Sequence, residues 1–90
     1  MAQHYFNKKP LAERQSHVAS IIQRLAQAYG VEEKQAVATC LGMPLKLIES
    51  WICEGYLPTD AIIKCHLATG FSLDWLTHGT GPVVKVTYHS

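Results

Sequence analysis

Between Gln35 and Pro58 the chain reads QAVATCLGMPLKLIESWICEGYLP, and three positions in this stretch restrict what it can fold into. A small residue (Ala38), a glycine four later (Gly42) and a branched apolar residue six beyond that (Ile48) let two short helices cross closely around a tight turn. A larger side chain at Ala38 pushes the second helix away, and Gly42 supplies the positive φ that ends one helix and opens the turn at little cost. Val37 and Leu41, with Ile48 and Trp51, supply the apolar faces that hold the pair on the rest of a domain. The expected unit is a helix-turn-helix.

The flanking sequence supplies that domain. Val18, Ile21, Ile22, Leu25, Ala26 and Tyr29 fall at i, i+3, i+4, i+7, i+8 and i+11, one face of a first helix that Gly30 closes. Ser16 is its candidate N-cap, with a start nearer Pro10 as the alternative. The second helix is expected from Glu32 or Glu33 to Leu41, with acidic residues in its first turn where the dipole favours them. Pro44 suits the first turn of a third helix, which runs to about Glu54 before Gly55 stops it. Thr59 and Asp60 offer a cap for a fourth helix, AIIKCHLAT, ended by Gly70. Ser72 caps a short fifth, SLDWLTH, broken by Gly79-Thr80-Gly81-Pro82. The tail VVKVTY reads as a short strand or extended arm, with pairing across a dimer, a lead into a further domain and disorder all open. The expected fold is all-α: a compact five-helix domain over residues 16–82, preceded by an arm or helix extension (1–15) and followed by an extended tail (83–90).

Ninety residues make one domain with a single hydrophobic core. No apolar run approaches the ~20 residues of a membrane span, and MAQHYFNKKPLAER lacks the apolar centre of a signal peptide, so the expected address is cytoplasmic. Cys40, Cys53 and Cys65 are an odd number at wide spacing, which argues against disulfides or a zinc finger. Cys40 and Cys65 are expected as small core residues, with Cys53 exposed. Trp51 and Trp75 are expected as core anchors. The five histidines show no ligand spacing, and Cys65-His66 point in different directions on a helix. No glycine loop or paired carboxylates suggest catalysis, so no catalytic residue, metal or cofactor is expected. The net charge of +1 hides an asymmetry: residues 1–46 carry +3 and the remainder −2, which permits a basic face without demanding one.

The helix AQAYG, the QAVATCLGM turn unit, Trp51 followed by Gly55 and Pro58, the LATG helix end and FSLDWLTHGTGP occur in an order that resembles the N-terminal DNA-binding domain of temperate-phage CI-type repressors. The resemblance covers about Val18 to Pro82 and implies a lambda-repressor-like five-helix fold. The chain departs from that pattern at Pro44 and Leu45, where the family usually has small polar residues, and at Glu54, where it often has Arg or Lys. Complete repressors of this kind carry a C-terminal oligomerisation domain, so a chain ending at Ser90 is expected to be a short regulator or a domain cut from a longer one.

In a helix-turn-helix the second helix lies in the major groove and the first crosses the backbone. The expected DNA-binding residues are therefore Pro44, Leu45, Lys46, Glu49, Ser50 and Cys53 on the third helix, with Lys34 and Gln35 opening the second. Lys46 can donate to guanine O6 or N7, Glu49 can accept from cytosine N4, Ser50 can bond either way, and Leu45 can meet a thymine methyl. Gln35 and Lys34, with the backbone N–H groups there, are placed to hold a phosphate. Lys46 and Glu49, three apart, can equally be a solvated ion pair. The expected function is a sequence-specific double-stranded DNA-binding regulator, a phage or prophage repressor acting as a homodimer on an inverted repeat in the nucleoid. The alternative is a protein-interaction module, an antirepressor or oligomerisation domain, that grips a partner through Leu45, Leu47 and Cys53.

Overall fold

The computed structural model describes residues 9–81 and 83, and all regular structure among them is helical. The helices are α1 (Leu11–Tyr29), α2 (Lys34–Leu41), α3 (Leu45–Glu54), α4 (Thr59–Thr69) and α5 (Leu73–His78). Each is followed by a glycine with positive φ.

The longest helix organises the rest. The stripe Val18, Ile21, Ile22, Leu25 and Ala26 is buried along α1, and α1 packs against all four other helices. Val37, Ala38 and Leu41 of α2, Ile48 and Trp51 of α3, Ala61, Ile62 and Cys65 of α4 and Leu76 of α5 close on it, with Leu57 and Pro58 sealing the α3–α4 connection. Burying each large aliphatic side chain here stabilises the fold by roughly 1.5–3 kcal/mol. No charged side chain is buried in this core among the described residues, and the buried Tyr29 hydroxyl lies at its edge.

Several boundaries and orientations differ from the sequence expectation. Helix α1 takes the alternative start, beginning at Leu11 with Pro10 as its N-cap, and Arg14 N–H donates to the Pro10 carbonyl at 3.0 Å. Ser16 is therefore inside the helix, where its carbonyl accepts from Ser20 Oγ, and does not cap it. Helix α2 starts at Lys34, after both expected starts (Glu32 or Glu33), with Glu33 as N-cap and no acidic side chain in its first turn. Thr59 and Asp60 lie inside the first turn of α4 and make no capping bond; Pro58 precedes them. Ser72 does cap α5, accepting from Trp75 N–H at 3.1 Å.

Cys65 is buried and Cys53 exposed as expected, but Cys40 is exposed. It lies beyond the arc that Val37, Ala38 and Leu41 turn inward, so the helical period excludes it from the core. Trp51 is buried, whereas Trp75 is half-buried at the rim, its ring tilted against Phe71 with centroids 5.5 Å apart. The expectation for the tail beyond Val83 lies outside the described residues, as does that for the arm before Lys9.

Candidate nucleic-acid interface

Helices α2 and α3 are joined by Gly42-Met43-Pro44, and the chain direction turns through 114° between them. This is within the range of helix-turn-helix crossings. Gly42 has φ +69°, its N–H donates to Thr39 O at 3.1 Å, and Met43 N–H donates to Ala38 O at 3.0 Å. These paired bonds satisfy two of the last carbonyls of α2 and set the exit angle. Ala38 and Ile48 are both buried, which is the close approach that their sizes permit.

Pro44 is the N-cap of α3 rather than a member of its first turn, with extended backbone (φ −69°, ψ 144°). Lys46, Glu49, Ser50 and Cys53 then follow at i, i+3, i+4 and i+7 and form the outward face; all are exposed except Ser50, which is half-buried. Ser50 Oγ donates to Leu47 O at 3.1 Å, so its proton is held within the helix and its oxygen keeps only acceptor capacity.

Leu45 departs from the expectation. It is half-buried and packs on the core, because Leu45, Ile48 and Ile52 share the inward face at i, i+3 and i+7. The same spacing was available in the sequence. Leu47 remains exposed.

Glu49 pairs not with Lys46 but with Lys34, the first residue of α2, at 3.8 Å between Nζ and Oε2. The middle of α3 thereby lies beside the N-terminus of α2, and both side chains stay about half exposed (51% each). Gln35, next to Lys34, is exposed. Neither helix has a side-chain cap at its N-terminus, so the leading N–H groups and positive dipole end of α2 accompany Lys34 and Gln35, and those of α3 accompany Lys46.

A second set of residues, which sequence reasoning missed, fixes how this unit sits. Arg14 Nη1 donates to the carbonyls of Glu54 (3.1 Å) and Gly55 (3.3 Å), and Gln15 Nε2 donates to Cys53 O at 2.6 Å. Gly55 N–H bonds Ile52 O and Tyr56 N–H bonds Trp51 O. All four terminal carbonyls of α3, from Trp51 to Glu54, are thus satisfied. Lys64 Nζ of α4 reaches the Leu41 carbonyl at the end of α2, and Arg24 of α1 donates to Leu76 O and Thr77 O at the end of α5. Burial lowers the Arg24 pKa below its ordinary value, yet guanidinium stays charged in proteins. Arg14, Arg24 and Lys64 are therefore engaged at helix C-termini, where cations are favoured. The charge asymmetry in the sequence overstated the cations available on the interface.

A groove of about 370 Å³ lies behind the unit, lined by Ala19, Ile22, Ala26, Lys34, Val37 and Ile52 among others. Glu32 and Lys34 stand at its edge, and no three His, Cys, Asp or Glu side chains converge among the described residues. Nor is any single described helix long and apolar enough to cross a membrane.

A five-helix core carrying two short helices at this crossing, with the second presenting a polar face, defines a helix-turn-helix domain. Residues 20–84 match the model of the bacteriophage CI repressor helix-turn-helix domain, and the chain belongs to that family. It is 33% identical over 63 residues to Repressor protein CI of Haemophilus phage HP1 (strain HP1c1), covering 70% of this chain and 33% of that protein. It is 42% identical over 60 residues to Protein ORFi in retron Ec67 of Escherichia coli, covering 67% of this chain and 30% of that protein. The chain thus spans about a third of the length of these curated relatives. No solved structure matches it with significance.

Proposed function

We propose that this chain is the DNA-reading part of a phage or prophage repressor, which recognises double-stranded DNA by placing α3 in the major groove. The observation that carries the reading is the outward face of α3: Lys46, Glu49, Ser50 and Cys53 are contiguous and accessible, on a helix fixed at both ends, in a CI repressor helix-turn-helix domain. Lys46 donates to guanine, Glu49 accepts from cytosine N4, and Ser50 accepts from an exposed base donor. Lys34 and Gln35, with the N–H groups of the first turn of α2, hold a flanking phosphate. Leu45 contributes to packing rather than to a thymine contact.

One such domain makes a small interface, so useful affinity comes from two copies on half-sites about one helical turn apart in an inverted repeat. Occupancy of that operator excludes polymerase. With so few cations on the face, the affinity is expected to depend on salt less steeply than in strongly basic binders. The burial of Leu45 leaves Leu47 as the exposed leucine at the front of α3, which reduces the apolar area a protein partner would need there.

The test is selection of a random-sequence duplex library by the folded 90-residue chain at low and moderate salt. Enrichment of an inverted repeat, weakened when Lys46 and Gln35 are changed to alanine, is the expected result. Failure to enrich any sequence, or enrichment indifferent to both substitutions, would overturn the proposal.

A further inference from the structure

We infer that Arg14 and Gln15, on α1 and away from the reading face, are positioning residues that set the tilt of α3 and hence its sequence selectivity. The inference rests on the DNA-reading role proposed for α3.

Helix α3 is anchored at its start by the turn from α2, and a helix of ten residues extends about 15 Å from that point. A tilt of about 10° about the turn would carry the far end through roughly 2.5 Å, enough to break a hydrogen bond to a base edge. What opposes that tilt is a short, specific contact. Gln15 holds Cys53 O, and Arg14 holds Glu54 O and Gly55 O. At the same place α1 and α3 touch so closely that a Cβ on Gly55 would lie 2.7 Å from Arg14 Cβ and 3.3 Å from Gln15 N.

Arg14 also ties in the chain that precedes α1, because its Nε donates to Lys9 O at 3.2 Å. A planar guanidinium with five N–H donors can serve three carbonyls at once, on two segments of chain, in one fixed geometry. An ammonium cannot reproduce that fork. Arg14→Lys therefore keeps the charge and loses the geometry, while Gln15→Ala removes the other clamp without altering charge.

The experiment compares the full chain with Arg14→Lys, Arg14→Ala and Gln15→Ala. For each, the dissociation constant is measured for the duplex most enriched from a random library and for a scrambled duplex of equal length and composition, well below the melting temperature. Expected for Arg14→Lys and Gln15→Ala is near-unchanged affinity for the scrambled duplex with a preference for the selected one reduced about tenfold, the size of one lost base contact. A merely structural role would lower the melting temperature and leave that ratio unaltered below it. An unchanged ratio in both variants, with the unsubstituted chain still selective, would overturn the inference alone. No preference in the unsubstituted chain would overturn the DNA reading and the inference with it. Should Arg14→Ala fail to fold, the other two variants decide.

Discussion

Lys64 Nζ donates to the Leu41 carbonyl at 2.6 Å, joining α4 to the last residue of α2 at the turn of the helix-turn-helix. That carbonyl is one that α2 cannot satisfy by itself, and an ammonium there also meets the negative end of the helix dipole. Replacing Lys64 by methionine keeps the hydrocarbon stem and removes the donor. Urea denaturation should show a loss of about 1 kcal/mol, below the ~1.5–3 kcal/mol usual for a charge-assisted bond because the site is partly open to water. An unchanged midpoint would mean that water replaces the ammonium without penalty.

Gly42 and Gly55 both need positive φ, yet their substitutions should differ. Alanine at Gly42 has only Lys64 Nζ nearby, at 3.8 Å, and should cost about 1–2 kcal/mol for the left-handed backbone alone. Alanine at Gly55 adds the 2.7 Å clash with Arg14 Cβ, so its cost should exceed that of Gly42→Ala clearly in a thermal melt. Equal costs would show that α1 and α3 separate freely.

Tyr29 gives the fold an alkaline limit. Its hydroxyl is sealed from solvent without a well-formed hydrogen bond, and burial first, then the neighbouring Cys65 and Cys40 thiols, push its pKa up to about 12. The unfolded chain gives up the same proton near 10. Between these values the unfolded state binds fewer protons, so stability falls as pH rises through the window and is fully present below it. Tyr29→Phe should abolish this part of the pH dependence and be neutral or stabilising at pH 7, because it removes a buried hydroxyl that lacks a well-formed hydrogen bond. A variant with the same alkaline profile would assign the effect elsewhere.

The three thiols should separate by reactivity. Cys40 and Cys53 are exposed, whereas Cys65 is buried and its thiol pKa is raised by that burial. A water-soluble maleimide should label two positions in the native chain and the third only on denaturation. Labelling Cys53 alone, in a Cys40→Ser background, should block binding to the selected duplex because the adduct stands on the outward face of α3. Undiminished binding would move the reading surface elsewhere.

Glu49 holds Lys34 and places a carboxylate among the groups proposed to meet DNA. Glu49→Gln should leave Lys34 undivided between carboxylate and phosphate and strengthen binding to scrambled duplex, while weakening preference at the position Glu49 reads. Its salt dependence should steepen by about one counterion. A loss of both affinities together would instead assign Glu49 a structural role.

Much of this could be read from the sequence because the signals were local. The apolar stripe of α1 follows helical period, glycine follows each helix, Ser72 lies one turn from the N–H it caps, and Ala38, Gly42 and Ile48 sit where a close crossing needs them. The same local logic corrects two expectations, since spacing alone puts Leu45 with Ile48 and Ile52 and leaves Cys40 off the buried arc.

What the chain by itself determined was where helices form, where they stop and which face of each turns inward, because backbone preference and hydrophobic period act over a few residues. The tertiary structure alone decided where the cations go. Arg14 finds Glu54 forty residues away, Arg24 finds Leu76 and Thr77, Lys64 finds Leu41, and Glu49 takes Lys34 in place of its helical neighbour Lys46. A long charged side chain bonds whichever carbonyl or carboxylate the packing brings within reach, and no pattern along the sequence encodes that distance.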